Sequence, residues 1–395
     1  MTPHILFVTN ARPWPPFGGQ FIRTYNLIES LSRHFAVGVV APSVSAECPL
    51  TTQTQAWFDL PDPTRISLRE LRQPRPAWAA CLETAHRQWQ PQVTWFDFAY
   101  WGSYARQARR HGAKLILGRH NIQPDITRQR VQTQTGLPRW AGWGRYWLER
   151  AHEKITYPQF DRLITVTETD QAYYARRLGA ERVRLIPNYI HEDWYAVQPP
   201  PRREPATLAL TANFHSYQNA AGARWFLESV WPRLLAIAPE ARLELVGDGG
   251  AELLAQAAVT GNVQADGPVL SVAPYLRRAT VAVVPILHGS GSRFKVLEAL
   301  ACDTPLVSTT LGAQGLMVRA GEEVWLADDS AEFAAAIARL LHDPAYRQRL
   351  ADNGRQLLRR EYGFVVNTER ARRVVDELLN GDAESAESLR AGESL

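Results

Sequence analysis

One segment of the sequence combines the residue types that bind a phosphorylated ligand. Residues 285–301 run from an apolar stretch through Gly289, Ser290 and Gly291 into a helical pattern that begins near Arg293. A glycine loop before a helix N-terminus presents free backbone N–H groups and the positive end of the helix dipole, and both attract anions. The segment therefore predicts an anion site, such as a diphosphate site, at this point of the chain.

Three charged residues follow the glycine loop. Arg293 and Lys295 fall in the first turn of the predicted helix, where a cation costs about 0.3–1 kcal/mol unless an anion is bound beside it. Lysine occurs at only three of the 395 positions, so Lys295 carries more information than a lysine in an average sequence. Glu298 lies one turn deeper on nearly the same face, where its carboxylate can accept hydrogen bonds from ribose hydroxyls. The alternative is an exposed Lys295–Glu298 ion pair worth about 0.2–0.5 kcal/mol, and the coincidence of loop, dipole and cations favours the ligand site.

The composition excludes several classes of protein. The 395 residues are 45% hydrophobic and 21% charged, which predicts two or three globular domains and excludes wholesale disorder. A net charge of +4, spread along the chain, is not the footprint of a nucleic-acid-binding protein. No apolar run approaches the roughly 18 residues of a membrane span, and the first residues lack the features of a secretory signal. Three widely spaced cysteines indicate a reduced, cytoplasmic location.

The hydrophobic pattern predicts an α/β fold built from two doubly wound domains. Short apolar runs that end in turn residues are typical of buried parallel strands, and helical periodicity fills the intervals between them. In the first half the predicted strands are 4–10, 36–40, 93–96, 115–117, 163–166 and 183–186. In the second half they are 207–211, 243–246, 281–284, 306–308 and 324–326, with helices at 220–235, 293–301, 344–360 and 367–379.

The domain boundaries follow from the composition. The segment 198–206 is the most proline-dense of the chain and predicts a stiff linker between an N-terminal domain, 1–197, and a C-terminal domain, 207–363. The helix at about 364–380 is assigned to the N-terminal domain, and the small, acidic tail 381–395 is predicted to be disordered. Two such domains are expected to face each other across a cleft lined by the carboxyl ends of their strands, where ligands bind. Neither half carries G-x-G-x-x-G after its first strand, so a dinucleotide-dependent dehydrogenase is not supported.

The loop after the first predicted strand is rich in proline and glycine. Residues 15–19 read Pro-Pro-Phe-Gly-Gly. The pair Gly18 and Gly19 allows the backbone to approach a ligand closely, although a tight turn requires the same residues. The position of the loop at a strand end favours the ligand interpretation.

Three further candidates follow strands of the first domain. His120 comes just after the strand 115–117; a lone histidine is more often structural, and its strand-end position favours a role in the site. Asp97 and Tyr100 follow the strand 93–96 and are candidates for contact with an acceptor.

The order of these motifs resembles the donor-site signature of retaining glycosyltransferase family 4. In that family an apolar strand ends in proline, a glycine loop follows, and lysine-x-x-glutamate-alanine opens a helix, as Lys295 and Glu298 do here. The other similar motifs are Ile-Pro-Asn at 186–188, the loop 213–219 that begins with Asn213, Val-Gly-Asp-Gly-Gly at 246–250 with Gly247, the strand at 304–309, and Gly-x-x-Gly at 312–316. The resemblance covers nearly the whole chain, and its motifs are specific as an ordered set rather than one by one.

The resemblance implies a GT-B fold and an enzyme that moves a hexose-type sugar, with retention, from a nucleoside-diphosphate sugar to an acceptor hydroxyl. Such reactions belong to the synthesis of polysaccharides, glycolipids and other glycoconjugates. The resemblance implies that Arg293 and Lys295 stabilise the departing diphosphate, that Glu298 binds the ribose and that His120 contacts the transferred sugar. The remaining donor-binding positions that it implies are Gly18, Gly19, Asn213, Gly247, Gly289, Ser290 and Gly291. No cofactor and no metal ion is expected, because the cations take the place of a metal.

The chain departs from the family pattern at two points. Where the family commonly has a glutamate that touches the donor sugar, this chain has Ser290. The loop after the first strand of the second domain offers no cation before Arg224, which leaves more of the diphosphate charge to Arg293 and Lys295. The rival functions are a sugar-nucleotide epimerase with the same fold and a non-catalytic sugar-nucleotide-binding protein.

An aromatic and basic stretch at 139–147 has two interpretations. It contains Trp140, Trp143 and Trp147 together with Arg139 and Arg145. Such a mixture is typical of segments that dock at a membrane interface, and buried packing explains it equally well. The sequence leaves both a peripheral membrane contact and a core position open for this stretch.

Overall fold

The protein, in a computed structural model, consists of two compact units, each built around its own parallel sheet. Unit 1 comprises Met1–Pro187 together with Asn367–Leu395, and unit 2 comprises Asn188–Val366. The structure describes residues 2–16, 18–61, 73–132, 136–199, 201–257, 259, 261–289 and 293–392, except for the side chains of 99, 100, 130, 137 and 381–392.

Unit 1 contains seven parallel strands in the order β3-β2-β1-β4-β5-β6-β7. The strands are β1 (His4–Val8), β2 (Ala36–Ala41), β3 (Ala56–Asp59), β4 (Val93–Asp97), β5 (Lys114–Gly118), β6 (Arg162–Thr165) and β7 (Val183–Leu185). The helices are α1 (Gly19–Ser32), α2 (Leu50–Gln53), α3 (Pro76–Trp89), α4 (Ala105–Arg109), α5 (Gln123–Gln132), α6 (Leu137–Thr156) and α7 (Glu168–Leu178). Because β1 pairs with both β2 and β4, the winding direction reverses between β1 and β4, and the loops that follow these two strands meet at one edge of the sheet.

Aromatic side chains fill much of the core of unit 1. Trp78, Trp95 and Trp101 are almost completely buried, and the rings of Trp78 and Trp101 stack with their centroids 5.0 Å apart. Burial of such large rings supplies much of the apolar area that stabilises the unit. Trp140 and Trp147 are instead exposed, so the tryptophans of the first half divide between core and surface.

Unit 2 contains six parallel strands in the order β10-β9-β8-β11-β12-β13. The strands are β8 (Thr207–Thr211), β9 (Arg242–Val246), β10 (Asn262–Asp266), β11 (Val281–Val284), β12 (Leu306–Ser308) and β13 (Trp325–Leu326). The helices are α8 (Tyr217–Trp225), α9 (Trp231–Ile237), α10 (Gly250–Gln256), α11 (Ala273–Arg278), α12 (Phe294–Ala301), α13 (Ser330–His342) and α14 (Pro344–Leu357), and α15 (Phe364–Gly392) then leads back to unit 1. Its winding direction reverses between β8 and β11, so both sheets repeat the same doubly wound pattern.

The structure contains two strands, β3 and β10, that the hydrophobic pattern does not predict. Each lies at an edge of its sheet. The residues of β3 are half-buried or exposed, and those of β10 alternate between exposed and half-buried. An edge strand pairs on one side only and is covered less completely than a central strand, so its sequence lacks the continuous apolar run that marks the others.

The chain passes from unit 1 to unit 2 between Pro187 and Asn188, ten residues before the predicted end of the first domain at 197. The predicted linker, 198–206, lies inside unit 2. There the side chain of Arg203 donates to the carbonyl oxygen of Ala279 at 2.6 Å. Proline density indicates a stiff backbone, and the stiffness does not determine whether the segment packs against a neighbour.

The C-terminal helix α15 begins at Phe364 and belongs to unit 1 from Asn367 onward. It continues to Gly392, so residues 381–392, for which we expected disorder, have a helical backbone. Alanine and glutamate, which recur in this stretch, are strong helix formers.

No described helix combines the length and the apolar character that crossing a bilayer requires. The described His, Cys, Asp and Glu side chains form no group of three or more that could hold a metal ion. Cys48, Cys81 and Cys302 are unpaired thiols.

Candidate functional site

In unit 2 the loops after β8, β9 and β11 are neighbours, because these three strands are adjacent in the sheet. They carry Asn213, Gly247 and Gly289, respectively. The winding direction of the sheet reverses here, and open α/β sheets bind ligands at such points. Helix α12, capped by Arg293, starts at the same edge. The fold therefore brings these predicted positions to one place.

Glycines permit the close approach of the chain segments at this edge. Gly247 has a φ of 129°, and a Cβ atom there would overlap the carbonyl oxygen of Ala212. A Cβ atom on Gly222 of α8 would overlap the carbonyl oxygen of Pro285, so this helix packs directly on the chain that leaves β11. Both positions need glycine for packing, independently of any ligand.

A chain of two hydrogen bonds links Lys295 to the loop after β8. Nζ of Lys295 donates to Oδ1 of Asn219 at 2.8 Å, and Nδ2 of Asn219 donates to the carbonyl oxygen of Asn213 at 2.8 Å. Burial lowers the pKa of Lys295 to about 8; Glu298 opposes this shift and Arg293 adds to it. An ammonium group in this environment is stabilised by an anion placed beside it.

Glu298 lies half-buried one turn beyond Lys295. Its Oε1 accepts a hydrogen bond from the hydroxyl of Tyr195 at 3.1 Å, and its Oε2 has no hydrogen-bond partner among the described residues. Burial raises the pKa of Glu298, and Tyr195 and Lys295 oppose the shift. Because Lys295 and Glu298 bond to other residues rather than to each other, the structure does not support the alternative of an exposed ion pair.

Arg293 occupies the cap position of α12 and is half-buried. Its Nε and Nη2 atoms are buried and find no hydrogen-bond partner within the described part of the chain. Burial lowers the pKa of Arg293. Buried N–H groups are costly when unpaired, and the planar guanidinium suits a ligand with several oxygen atoms.

Two predicted donor positions, Ser290 and Gly291, lie outside the described residues. Gly289, just before them, has a φ of 105°, a conformation that favours glycine. A Cβ atom at Gly289 would come within 2.9 Å of Nη2 of Arg293. The loop therefore passes close to the guanidinium group.

In unit 1 the carboxyl ends of β4 and β5 bring Asp97 and His120 together. Oδ1 of Asp97 lies 3.0 Å from Nε2 of His120, and the hydroxyl of Thr24 donates to Oδ2 at 3.2 Å. The ring of Phe98 stacks on that of His120, with centroids 4.1 Å apart. Burial lowers the pKa of His120, and the charge of Asp97 opposes this shift.

The burial of Asp97 corrects the expectation that this residue contacts an acceptor. Its side chain is 0% exposed, and its oxygens bond to His120 and Thr24. Burial alone would raise the pKa of Asp97, but the charge and hydrogen bond of His120, with Arg23 and Thr24, bring it below its ordinary value. A Cβ atom at Gly118 would lie 2.6 Å from Oδ1, so glycine makes room for the carboxylate. Asp97 is therefore an ionised group that positions His120.

The glycine loop of unit 1 leads directly into α1. Gly18 caps the helix with a φ of 105°, and Gly19 is its first residue. A Cβ atom on Gly18 would touch only Phe21, at 3.7 Å, so the backbone conformation rather than crowding selects glycine. The backbone of Tyr100 lies in a 3₁₀ turn, Ala99–Tyr104, and its side chain is outside the described part of the structure.

Two family models match the chain. The model of Glycosyltransferase Family 4 matches residues 17–194, and the model of Glycosyl transferases group 1 matches residues 205–343. Together they span most of the chain and include both groups of site residues. The chain belongs to the group 1 glycosyltransferases of family 4.

Relatives of this family 4 chain agree with the assignment. The phosphatidyl-myo-inositol mannosyltransferase of Mycobacterium leprae is 27% identical over 224 residues, which cover 55% of this chain and 58% of that protein. The sucrose-phosphate synthase of Thermosynechococcus elongatus matches with a TM-score of 0.71 and 19% identity, over 96% of this chain and 100% of that one. Anabaena HepE in complex with UDP-glucose matches with a TM-score of 0.67 and 14% identity, over 95% and 99% of the two chains. The structural matches establish the GT-B fold.

Three residues that shape the candidate site are not identified by the sequence patterns. Tyr195 lies about a hundred positions before Glu298, its partner, so no local spacing connects them. Gly118 acts only through the space that it leaves for Asp97. The sequence could have identified Asn219, because it is the last residue of the loop 213–219 and lies at the start of a helix, where amide side chains often bond to the backbone.

Proposed function

We propose that the protein is a retaining glycosyltransferase that moves a sugar from a nucleoside-diphosphate sugar to an acceptor hydroxyl. The observation that carries the proposal is the pair of half-buried cations, Arg293 and Lys295, at the start of α12. Neither forms an ion pair with a described residue, and burial lowers the pKa of both. A diphosphate supplies the charge and the oxygen atoms that two such cations and a helix N-terminus require.

Glu298 is proposed to bind the ribose of the donor. The hydroxyl of Tyr195 holds Oε1, which leaves Oε2 available to accept hydrogen bonds from ribose hydroxyls. The position of Glu298 one turn beyond Lys295 places the sugar ring of the nucleoside next to the diphosphate on the same helix. Asn213, Gly247 and Gly289 would line the donor from the neighbouring loops.

In this proposal catalysis is mainly electrostatic. The bond between the anomeric carbon and the diphosphate oxygen breaks, and negative charge builds on the departing diphosphate. The acceptor oxygen bonds to the anomeric carbon on the same face, and its proton passes to the departing diphosphate. Asn219 holds Lys295 before the reaction begins, so the ammonium group stabilises the developing charge without reorganisation. We expect no metal ion to be needed, because the two cations supply this charge. His120, held by Asp97, is proposed to contact the transferred sugar.

The relatives indicate which substrates to test first. Anabaena HepE binds UDP-glucose and the Mycobacterium leprae relative is named as a phosphatidyl-myo-inositol mannosyltransferase, so we propose nucleotide-linked glucose and mannose as first donors. Inositol-bearing lipids and polysaccharide fragments are the first acceptors. The products would belong to polysaccharide, glycolipid or other glycoconjugate synthesis, at a cytoplasmic or membrane-peripheral location.

Thermal unfolding against a panel of sugar nucleotides tests the donor site. A ligand at 100 times its dissociation constant stabilises the folded state by about 2.7 kcal/mol. Glu298→Gln keeps an acceptor for Tyr195 but weakens ribose binding, so it should lose this stabilisation, whereas the exposed matched control Glu228→Gln should keep it. Unchanged nucleotide affinity in Glu298→Gln would refute the ribose assignment.

Release of free nucleoside diphosphate, measured with and without an acceptor, separates the proposed activity from its rivals. A transferase releases diphosphate at a rate that rises with the acceptor concentration and forms a glycosylated product. An epimerase changes the sugar of the nucleotide without an acceptor. A binding protein is stabilised by the nucleotide and turns over nothing, and either of these last results would overturn the transferase.

A further inference from the structure

Helix α6 has an inverted distribution of polar and apolar side chains. Within 138–156 the buried residues are all polar: Glu149, His152 and Thr156. Three large apolar side chains face solvent instead, with Trp140 76%, Trp147 64% and Ile155 61% exposed, while Trp143, Tyr146 and Leu148 are half-buried. A surface helix normally turns its apolar face toward the core. The folding of unit 1 therefore does not explain this exposed face.

The exposed apolar residues of α6 are aligned along the helix. Trp140, Trp147 and Ile155 follow one another at intervals of about two turns, which places them on one face. They account for three of the seven exposed large apolar side chains among the described residues, so the apolar surface is concentrated here. Contiguous exposed apolar surface of this kind marks an interaction site.

Helix α6 turns its negative side chains inward and leaves positive side chains exposed. Its two carboxylates turn inward: Glu149 accepts hydrogen bonds from Thr127 and Arg145, and Glu153 accepts them from Tyr157 and Tyr174. Arg139 and Lys154, by contrast, are exposed, and neither has a counter-ion in the described part of the chain. The solvent-facing side of the helix is therefore apolar and positively charged.

Two surface cavities border this face, and in each the cationic side chains outnumber the single carboxylate, Glu83 in the first and Glu153 in the second. A cavity of about 750 Å³ is lined by Ile155 together with Arg106 and Arg110. A second cavity of about 650 Å³ is lined by Trp147 together with Arg150, Lys154 and Arg177. Cations at the edges of two cavities, next to exposed tryptophans, match the phosphate and acyl boundary of a lipid surface.

We propose that the exposed face of α6, formed by Trp140, Trp147, Ile155, Arg139 and Lys154, docks on an anionic lipid bilayer. The helix would lie in the plane of the interface, with its tryptophan rings at the headgroup level, where indole rings are favoured. A second copy of the chain is a poorer partner, because a symmetric dimer would bring the same uncompensated cations opposite each other. An anionic bilayer supplies both the apolar layer and the missing negative charge.

Co-sedimentation of the full chain with lipid vesicles tests this surface. The wild-type protein should pellet with vesicles of phosphatidylcholine mixed equally with phosphatidylglycerol, and weakly with phosphatidylcholine alone, at about 0.15 M salt. The triple variant Trp140→Ser, Trp147→Ser, Ile155→Ser should bind the anionic vesicles at least about tenfold more weakly. The double variant Arg139→Gln, Lys154→Gln should lose about fivefold per cation removed, on anionic vesicles only.

The control changes exposed apolar residues elsewhere. Leu270 is 91% and Val365 76% exposed, and Leu270→Ser, Val365→Ser should leave vesicle binding unchanged. Circular dichroism melting shows whether each variant folds, and single substitutions of Trp140 or Ile155 give graded losses if the triple variant unfolds. Failure of the wild type to pellet with anionic vesicles, or equal binding by the triple variant, would overturn the proposal. So would light scattering that shows a dimer dissociated by the triple substitution without any vesicle binding.

Discussion

Among single residues, Asp97 and His120 show which side-chain properties a sequence pattern can specify. The apolar run 93–96 correctly places Asp97 at a strand end, and the run 115–117 places His120 at the next one. The direction of a side chain is harder to predict, because β4 is buried on both faces and has no polar and apolar alternation to reveal its orientation. The burial of Asp97 follows instead from the space left by Gly118, which no sequence pattern signals.

The contact between Asp97 and His120 predicts a shift in the titration of the histidine. Asp97→Asn removes the negative charge that favours the imidazolium, so the pKa of His120 should fall further below its ordinary value. An NMR titration of the His120 ring measures this, and Asp193→Asn, at an exposed carboxylate, is the matched control. A His120 titration that is the same in Asp97→Asn and the wild type would show that the carboxylate does not act on the ring.

The contact between Asp97 and His120 also makes the stability of the fold depend on pH. The pKa of Asp97 is lowered in the folded state, so its ionised carboxylate stabilises the fold at neutral pH, which lies above the ordinary pKa of 3.8. This stabilisation is lost as the pH falls through the pKa of the folded state. The difference in stability between wild type and Asp97→Asn should therefore shrink on acidification. Urea denaturation at several pH values follows this difference.

Lys295 predicts a second rise of stability with pH, at alkaline pH, because burial disfavours its charged form. Its pKa is about 8 in the folded state and 10.5 ordinarily, so the folded protein loses this proton before the unfolded chain does. Stability of the wild type should thus rise, relative to Lys295→Met, as pH increases from about 8 to 10.5. At pH 7 Lys295→Met should be at least as stable as the wild type while it loses nucleotide binding, and thermal unfolding measures both.

Kinetics distinguish a role of Lys295 in the transition state from a role in binding alone. If it stabilises the departing diphosphate, Lys295→Ala should lower turnover at saturating donor by at least about 100-fold, with a much smaller loss of donor affinity. Lys295→Arg is the matched control, because it keeps the positive charge while its planar group cannot reproduce the point contact of an ammonium. Unchanged turnover at saturation, with loss only in affinity, would assign Lys295 to uniform binding.

At the level of helices and strands, central elements are predictable and edge elements are not. The strands beside the points of winding reversal, β1, β4, β8 and β11, are buried apolar runs, and each is predicted within one or two residues. Helix α12 also begins within one or two residues of the predicted position. These elements position the candidate site, so the hydrophobic pattern alone predicts the backbone that carries it. The edge strands β3 and β10 contribute no residue to the site.

The contact between the loops after β8 and β9 predicts a large effect of one methyl group. In Gly247→Ala the new Cβ atom would overlap the carbonyl oxygen of Ala212, and a φ of 129° is unfavourable for alanine. We expect a loss of at least about 2 kcal/mol in stability and a displaced Asn213 loop. Gly267→Ala is the matched control: a Cβ there meets nothing within 4 Å, and stability should change by less than about 0.5 kcal/mol. Equal melting temperatures for the two variants would contradict the close approach.

For the whole molecule, the sequence predicts two doubly wound units and places the end of the first at 197, whereas unit 1 of the structure passes into unit 2 after Pro187. The boundary is set by contacts: the guanidinium of Arg23 donates to the carbonyl oxygens of Ile186 and Pro187, which fixes the last residues of unit 1. The composition instead predicts a boundary at the prolines of 198–206, because proline content indicates local stiffness of the backbone and not contacts between distant residues.

The return of the C-terminal helix to unit 1 predicts how the protein responds to truncation. Thr368 bonds to Ser30 at 2.8 Å and Glu377 to Arg184 at 3.0 Å, both across unit 1. The helix also buries a row of apolar side chains, namely Ala371, Val374, Val375 and Leu378. Each of the larger ones contributes about 1.5–3 kcal/mol when fully buried, and their sum approaches the 5–15 kcal/mol that stabilises a whole domain.

Deletion of residues 367–395 should therefore unfold unit 1 or lower its melting temperature strongly. Deletion of residues 381–395 keeps every one of these contacts and should leave the melting temperature unchanged. Circular dichroism melting and limited proteolysis of the two truncated chains, compared with the full chain, measure the difference. If the chain that ends at Val366 melts and resists protease like the full chain, the C-terminal helix is not part of the structural core of unit 1.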